Sequence, residues 1–139
     1  MVMKQLSTLT LAAALALAPA WAGAWRATNW HEVLPVSNGV YEVVARVGSG
    51  PADYWCGAGE YFSSQLGVPA TQRIYVWRGI GPSVNRPGRK AVQFSLTPPP
   101  GADLRQRLTL DVKEPGDSIN AAMAKQYCYN RDNDFFIWP

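Results

Sequence analysis

Apolar and polar side chains alternate along four stretches of the chain, and this alternation predicts four β-strands. These stretches are 41–47, 73–78, 90–96 and 107–113. The last is the most regular, because Leu108, Leu110 and Val112 are separated by polar or charged residues. One-sided alternation with a period of two is typical of an antiparallel sheet that has one buried and one solvated face. It predicts that Glu42 and Asp111 point to solvent.

A helical period appears between the first and second of these strands. From Pro51 onward, Trp55, Phe62 and Leu66 recur on one helical face. Proline suits the first helical position, and Gly67 followed by Val68 and Pro69 is a typical helix end. Gly57 and Gly59 each weaken this helix by about 1 kcal/mol relative to alanine. We therefore expect them to pack closely against another backbone, near the place where Cys56 meets Cys128.

The remaining segments are predicted to connect and close the domain. Residues 25–37 are read as an extended lead-in, and 79–89 as a Gly- and Pro-rich loop. Ser118 is predicted to cap a second, short helix that runs to Tyr127. The apolar end 135–138 is expected to dock as an edge strand or as a plug on the core. Residues 25–139 thus predict a single α+β domain, with a small, mainly antiparallel sheet of four to five strands and two short helices on one face.

The first 24 residues have the pattern of an export signal. Lys4 precedes about a dozen mostly apolar residues, Pro19 breaks the run, and small residues allow cleavage after Ala20 or Ala24. The run is shorter than the ~20 residues that span a bilayer, and no later segment is apolar for long enough. The sequence predicts a mature chain without a transmembrane segment, periplasmic or secreted.

Cysteine usage fits the same compartment. Cys56 and Cys128 are the only two cysteines, and an even number in an exported chain predicts one disulfide. The alternative is a small hydrolase in which Cys56, near a helix N-terminus, is a nucleophile and His31 its base. His31 precedes the cysteine, opposite to the usual order in papain-like peptidases, and no third group is evident. Glu42, Asp53 and Glu60 have no spacing that pairs two carboxylates, and we expect ordinary solvated side chains.

Other chemistries find little support. The chain has one histidine and no metal-binding spacing, so neither a metal site nor a cofactor is predicted. The G-x-G at Gly79 lacks the third glycine and the lysine of a phosphate loop. At 47% hydrophobic and 17% charged, the composition is that of a folded protein. The formal charge of +3, about +2 without Lys4, is too mild to indicate nucleic-acid binding.

One stretch is distinctly basic. Within residues 73–90 there are five Lys and Arg residues and no acidic residue, with Tyr75 and Trp77 interleaved. A basic, aromatic-flanked, mobile loop of this kind suits an anionic envelope polymer, a lipid headgroup or an acidic protein; the alternative is a merely solvated hairpin. The candidate contact residues are Arg73, Trp77, Arg78, Arg86, Arg89 and Lys90.

The segment Ala52-Asp53-Tyr54-Trp55-Cys56-x-Ala58-Gly59-x-Tyr61 resembles a motif of an uncharacterised family of small exported bacterial proteins. Arg78-Gly79-x-Gly81-Pro82-Ser83 and Val92-x-Phe94 are similar to further elements of that family. The resemblance implies export and a cysteine pair, and it carries no activity. The sequence as a whole predicts a non-enzymatic exported domain that binds a partner in the cell envelope or medium. A structural component that assembles through its aromatic tail is the other alternative.

Overall fold

A computed structural model describes residues 24–107 and 110–129, and it has eight secondary-structure elements in that part. The predicted signal segment, up to residue 23, and the aromatic tail 135–138 lie outside the described residues. The elements are β1 (Trp25–Arg26), β2 (Glu32–Ser37), β3 (Val40–Val44), α1 (Pro51–Ser64), β4 (Arg73–Pro82), β5 (Lys90–Ser95), β6 (Ser118–Asn120) and α2 (Ala121–Gln126).

The strands form one antiparallel sheet in the order β1-β2-β3-β5-β4-β6. The α+β class and the single disulfide are confirmed, but the sheet has six strands rather than four to five. The lead-in 25–37 contributes two of them, β1 and β2, joined by a tight turn. Residues 107 and 110–113, by contrast, belong to no strand, although Ile80 N–H of β4 donates to the Val112 carbonyl at 3.2 Å.

Two other element boundaries differ from the prediction. β3 ends at Val44, and Val47 is fully exposed in the connection that follows. The second helix is capped by Asn120, whose side-chain oxygen accepts the Met123 N–H at 2.7 Å. Ser118 instead lies in β6. Helix α1 begins at Pro51 as predicted, and its first turn is capped by the Asp53 carboxylate, which accepts the Gly50 N–H at 2.9 Å.

The core lies between one face of the sheet and the helices. Apolar side chains from four strands meet those of both helices in a single buried cluster. Its strand members include Val33, Val43, Ile74, Val76, Val92 and Phe94, and its helix members Tyr54, Trp55, Ala58, Phe62, Ala121 and Ala124. Neither helix in the described part of the chain is long and apolar enough to cross a membrane.

The helices touch at Gly59 and at the disulfide. A Cβ placed on Gly59 would lie 2.4 Å from the Lys125 nitrogen, and one on Gly57 would lie 2.8 Å from Val43 Cγ1. The close packing against another backbone that was expected of both glycines is present at Gly59, whereas Gly57 packs against the Val43 side chain. Cys56 and Cys128 form a disulfide with their Cα atoms 4.8 Å apart, which joins α1 to the end of the second helix.

The opposite face of the sheet is partly covered by the loop between β4 and β5. Glu42 of β3 is completely buried beneath this loop, contrary to the solvated position predicted for it. Its carboxylate accepts hydrogen bonds from the Ser83 hydroxyl at 2.7 Å, the Val84 N–H at 3.0 Å, and the Asn85 N–H at 2.9 Å and side-chain amide at 3.0 Å. Burial opposes ionisation, but these donors outweigh it and lower the pKa of Glu42.

Candidate functional site

A polar cleft of about 290 Å³ opens beside the N-terminus of α1. We call it the His31 cleft; its lining includes Asn29, His31, Arg46, Ser49, Asp53 and Arg89. Asp53 comes from the first turn of α1, and three connections supply the others: the turn between β1 and β2, the segment between β3 and α1, and the end of the loop between β4 and β5.

The turn between β1 and β2 places His31 at the base of the cleft. Ala27 N–H donates to the His31 carbonyl at 3.0 Å, and Trp30 N–H donates to the Ala27 carbonyl at 2.8 Å. The Asn29 side chain accepts the His31 N–H at 3.2 Å and donates to the Asp53 carbonyl at 3.0 Å. The turn is therefore tied to the first turn of α1, and His31 is only 3% exposed.

Trp30 is unusual within this turn. Its φ of 67° is in the left-handed region, and it is the only non-glycine residue with positive φ in the part of the chain that the structure describes. An L-residue in this conformation is disfavoured by roughly 1–2 kcal/mol. The indole is nonetheless 65% exposed. The turn thus holds a large aromatic surface in water between Asn29 and His31, two residues that line the cleft.

Ser49 also lines the cleft. Its hydroxyl accepts the Arg46 N–H at 2.8 Å and donates to the Arg46 carbonyl at 2.8 Å, and Ser49 N–H donates to the same carbonyl at 3.1 Å. The hydroxyl is also 2.6 Å from His31 Nε2. A serine and a histidine that are 18 residues apart in sequence are therefore in direct hydrogen-bond contact.

Two guanidinium groups give the cleft a positive rim. Arg46 donates to the Asn29 carbonyl at 3.3 Å, and Arg89 donates to the Ala45 carbonyl. In the described part of the chain, the hydrogen-bond partners of both guanidinium groups are main-chain oxygens rather than carboxylates. The acidic residue in the lining, Asp53, is engaged in capping α1. The described lining therefore carries two guanidinium charges against one carboxylate, and this net positive charge suits an anion.

The basic residues predicted from residues 73–90 do not form one patch. Arg73 bonds the Ser118 hydroxyl and carbonyl, both at 2.9 Å, at the β6 end of the sheet. Arg78 folds back onto the Pro82 carbonyl. Arg86 pairs with Glu32 of β2 at 2.8 Å, and this hydrogen bond is the main reason that the pKa of Glu32 is lowered. Of the set, Arg89 alone lines the His31 cleft; Lys90 directly follows it and is exposed, and Trp77 is half-buried.

The loop that carries these residues is anchored at two points. Glu42 binds residues 83–85, and Glu32 binds Arg86 and also Arg26, the latter at 3.2 Å. These contacts present Arg89 at a defined position beside the His31 cleft, in place of the mobile loop that the sequence suggested.

Cys56 is not available as a nucleophile, because both cysteines are joined in the disulfide. The cysteine hydrolase is therefore excluded in this oxidised form. Glu60, Cys56 and Cys128 place potential ligand atoms within 4.8 Å of one another. The sulfurs are not thiolates, however, and a disulfide sulfur is not the ligand that metal binding requires.

The other carboxylates that were predicted to be solvated are also at least partly buried. Asp53 is buried at the start of α1, contrary to expectation, and Glu60 is half-buried. Glu60 accepts the Thr28 N–H at 2.9 Å and its hydroxyl at 3.0 Å. Asp111, predicted to be on a solvated strand face, is half-buried in a segment without regular structure. None of the contacts described for them joins two of these carboxylates.

A second cleft, of about 380 Å³, lies at the β6 edge between Arg73, Asp117 and Tyr127. Burial is the main cause of the raised pKa of Asp117, which the charge of Arg107 partly offsets. The described rim of this cleft stops at residues 107 and 110. The His31 cleft is lined entirely by described residues, so it is the better-defined candidate.

Sequence reasoning named His31 and Arg89 but missed Asn29, Trp30, Arg46 and Ser49 as site residues. The Gly-Ser-Gly before Pro51 was visible as a helix start, although nothing in its spacing indicated a partner for the serine. Comparison of the chain with protein-family models, curated proteins and solved structures finds no match. The resemblance to small exported bacterial proteins therefore stays a prediction.

Proposed function

We propose that this protein is an exported, disulfide-braced domain that binds an anionic polymer of the cell envelope or medium through the His31 cleft. The observation that carries the proposal is the pair of guanidinium groups, Arg46 and Arg89, on one polar cleft that the Ser49 hydroxyl also lines. A carboxylate or phosphate entering the cleft would meet charge-assisted donors from both sides.

Two further features support a binding role. Lys90 continues the positive charge beside Arg89, which suits a ligand with repeated negative groups. Trp30 keeps an exposed aromatic surface next to the cleft in spite of its disfavoured backbone conformation, and such a surface suits the apolar part of a partner. The disulfide favours an oxidising compartment, which is where the predicted export signal would deliver the chain.

The proposal is tested by titrating the protein with polyglutamate and with polyphosphate, using neutral dextran as the negative control. We expect Arg46→Gln and Arg89→Gln each to weaken binding by at least about tenfold, since a hydrogen bond to a charged group contributes roughly 1.5–3 kcal/mol. Both should also reduce the dependence of affinity on salt. The two polymers separate carboxylate from phosphate recognition.

Arg105→Gln is the matched control. It removes the same charge from an exposed side chain that pairs with Asp103 at 2.7 Å and does not line the His31 cleft. Its affinity should remain within about twofold of the wild type, as expected for an exposed pair. Equal losses of affinity in all three variants would show that binding depends only on net charge. Unchanged affinity in Arg46→Gln or Arg89→Gln would show that the cleft does not bind the polymer.

A further inference from the structure

The contact between Ser49 and His31 has the geometry of a nucleophile and its general base. The hydroxyl oxygen is 2.6 Å from His31 Nε2, within the range for proton transfer between the two groups. The other ring nitrogen, Nδ1, is 3.2 Å from the Asn29 carbonyl oxygen. A carbonyl can only accept, so this contact places a proton on Nδ1.

This tautomer determines the role of Nε2. In the neutral imidazole, a proton on Nδ1 leaves Nε2 as an acceptor, so the single Ser49 hydroxyl proton has two acceptors within reach, Nε2 at 2.6 Å and the Arg46 carbonyl at 2.8 Å. A carbonyl that orients the imidazole fills the place of the third group in a catalytic triad. The hydrogen bonds of Asn29 to His31 N–H and to the Asp53 carbonyl hold this carbonyl and ring together.

The surroundings of Ser49 suit attack on a carbonyl. The residue is half-buried and lines the open cleft. It directly precedes Gly50, the N-cap of the 14-residue helix α1; the positive dipole end favours an oxyanion formed beside Ser49, and the Asp53 carboxylate that accepts the Gly50 N–H at 2.9 Å offsets part of it. The contacts with Arg46 N–H and carbonyl fix the hydroxyl oxygen in position.

We propose that Ser49 and His31 form a nucleophilic pair that hydrolyses carboxylic esters bearing a negative group, with Arg46 and Arg89 selecting the charge. This activity goes beyond the proposed binding function and rests on it only for the choice of an anionic substrate. Ser49 Oγ adds to the ester carbonyl carbon while its proton passes to His31 Nε2. The carbon–oxygen bond to the alcohol then breaks, and Nε2 returns the proton to the departing oxygen.

Water completes the cycle. His31 Nε2 takes a proton from a water molecule, whose oxygen adds to the acyl-serine carbonyl. Ser49 Oγ then leaves as the acid is released and recovers its proton from Nε2. One ester and one water give one acid and one alcohol, and no cofactor or redox partner enters the balance.

The first experiment compares the mono-para-nitrophenyl ester of succinic acid with para-nitrophenyl acetate. Wild-type protein should hydrolyse the anionic ester with saturation kinetics, and Ser49→Ala should reduce kcat/KM by at least about 100-fold. Ser64→Ala, an exposed serine at the end of α1, is the matched control and should behave like the wild type. Arg89→Gln should raise KM for the succinate ester and leave that for the acetate unchanged.

A second measurement does not depend on the folding of a variant. A fluorophosphonate should label the wild-type protein, and mass spectrometry should place the adduct on Ser49.

Absence of a Ser49 adduct, or a wild-type rate in a folded Ser49→Ala variant, would overturn the proposal. The binding function would still be supported if the wild-type protein bound polyglutamate or polyphosphate and Arg89→Gln bound it with the expected lower affinity. Conversely, ester hydrolysis without polymer binding would reject the binding function and retain the Ser49–His31 pair.

Discussion

Among the carboxylates in the part of the chain that the structure describes, Glu42 has the least exposed side chain. It is buried under the loop between β4 and β5, and every hydrogen bond described for it comes from residues 83–85. In Glu42→Gln, the side-chain amide would face one of these donors instead of accepting from it. We expect the free energy of unfolding to fall by about 1–3 kcal/mol, measured by urea denaturation at neutral pH.

The pH dependence checks the cause of that loss. Because folding lowers the pKa of Glu42, its stabilisation is fully present above the ordinary glutamate pKa and is lost as pH falls through the lowered value. The difference between wild type and Glu42→Gln should therefore shrink in acid. Glu114→Gln, at an exposed position, should stay within about 0.5 kcal/mol of the wild type. If the difference in the free energy of unfolding between wild type and Glu42→Gln is the same in acid, the loss of stability comes from the shape of the side chain and not from its charge.

The sequence predicted the environment of a side chain correctly where neighbouring residues determine it, and incorrectly where residues distant in the chain determine it. Alternation correctly separates Glu42 from Val43, which point to opposite faces of β3. It could not show that a loop 40 residues later in the chain would cover the face that carries Glu42. His31 was singled out with Cys56 as its partner, whereas the structure pairs it with Ser49 through a contact that no sequence spacing encodes.

At the scale of elements, the contact between α1 and α2 depends on Gly59. A methyl group there would lie 2.4 Å from the Lys125 nitrogen and 2.7 Å from Ala124 Cβ. Although alanine favours the helix by about 1 kcal/mol, we expect Gly59→Ala to lower the free energy of unfolding by about 1–3 kcal/mol, because backbone must move.

Gly57→Ala is the matched comparison in the same helix. Its methyl group would meet the Val43 side chain at 2.8 Å rather than a backbone, and a side chain can shift more readily. Thermal denaturation should therefore place Gly57→Ala between the wild type and Gly59→Ala. A Gly59→Ala variant at least as stable as the wild type would show that the two helices can separate without loss.

The elements with clear end signals were those predicted best. Pro51 and Gly67 bracket α1 closely, whereas β2 was missed because Val33 and Leu34 are both buried, on opposite faces. A strand covered on both faces shows no alternation. The reverse holds for residues 110–113, the described end of the segment predicted as a strand, where alternation correctly places Val112 inside. The backbone there nevertheless contacts β4 without joining the sheet.

For the whole molecule, the disulfide is the feature that the sequence predicted most directly, since two cysteines allow one pairing. It closes a sequence separation of 72 residues and ties α1 to the end of α2. Neither cysteine lines the His31 cleft. We therefore expect the bond to govern how much of the protein is folded rather than how the folded cleft binds.

Replacing both cysteines, as Cys56→Ser with Cys128→Ser, should lower the free energy of unfolding by about 4 kcal/mol. The reason is that the unfolded chain has a higher conformational entropy without the cross-link. A domain of this size has a total stability of roughly 5–15 kcal/mol, so the variant would be marginally folded. Urea denaturation of the oxidised, reduced and double-serine proteins measures the difference, and the last two should agree. At temperatures where the variant is folded, its affinity for polyglutamate or polyphosphate should match the wild type. An unchanged denaturation midpoint in the double-serine variant would show that the helix contact at Gly59 maintains the fold without the disulfide. A loss of affinity in the folded variant would show that binding in the cleft depends on the disulfide.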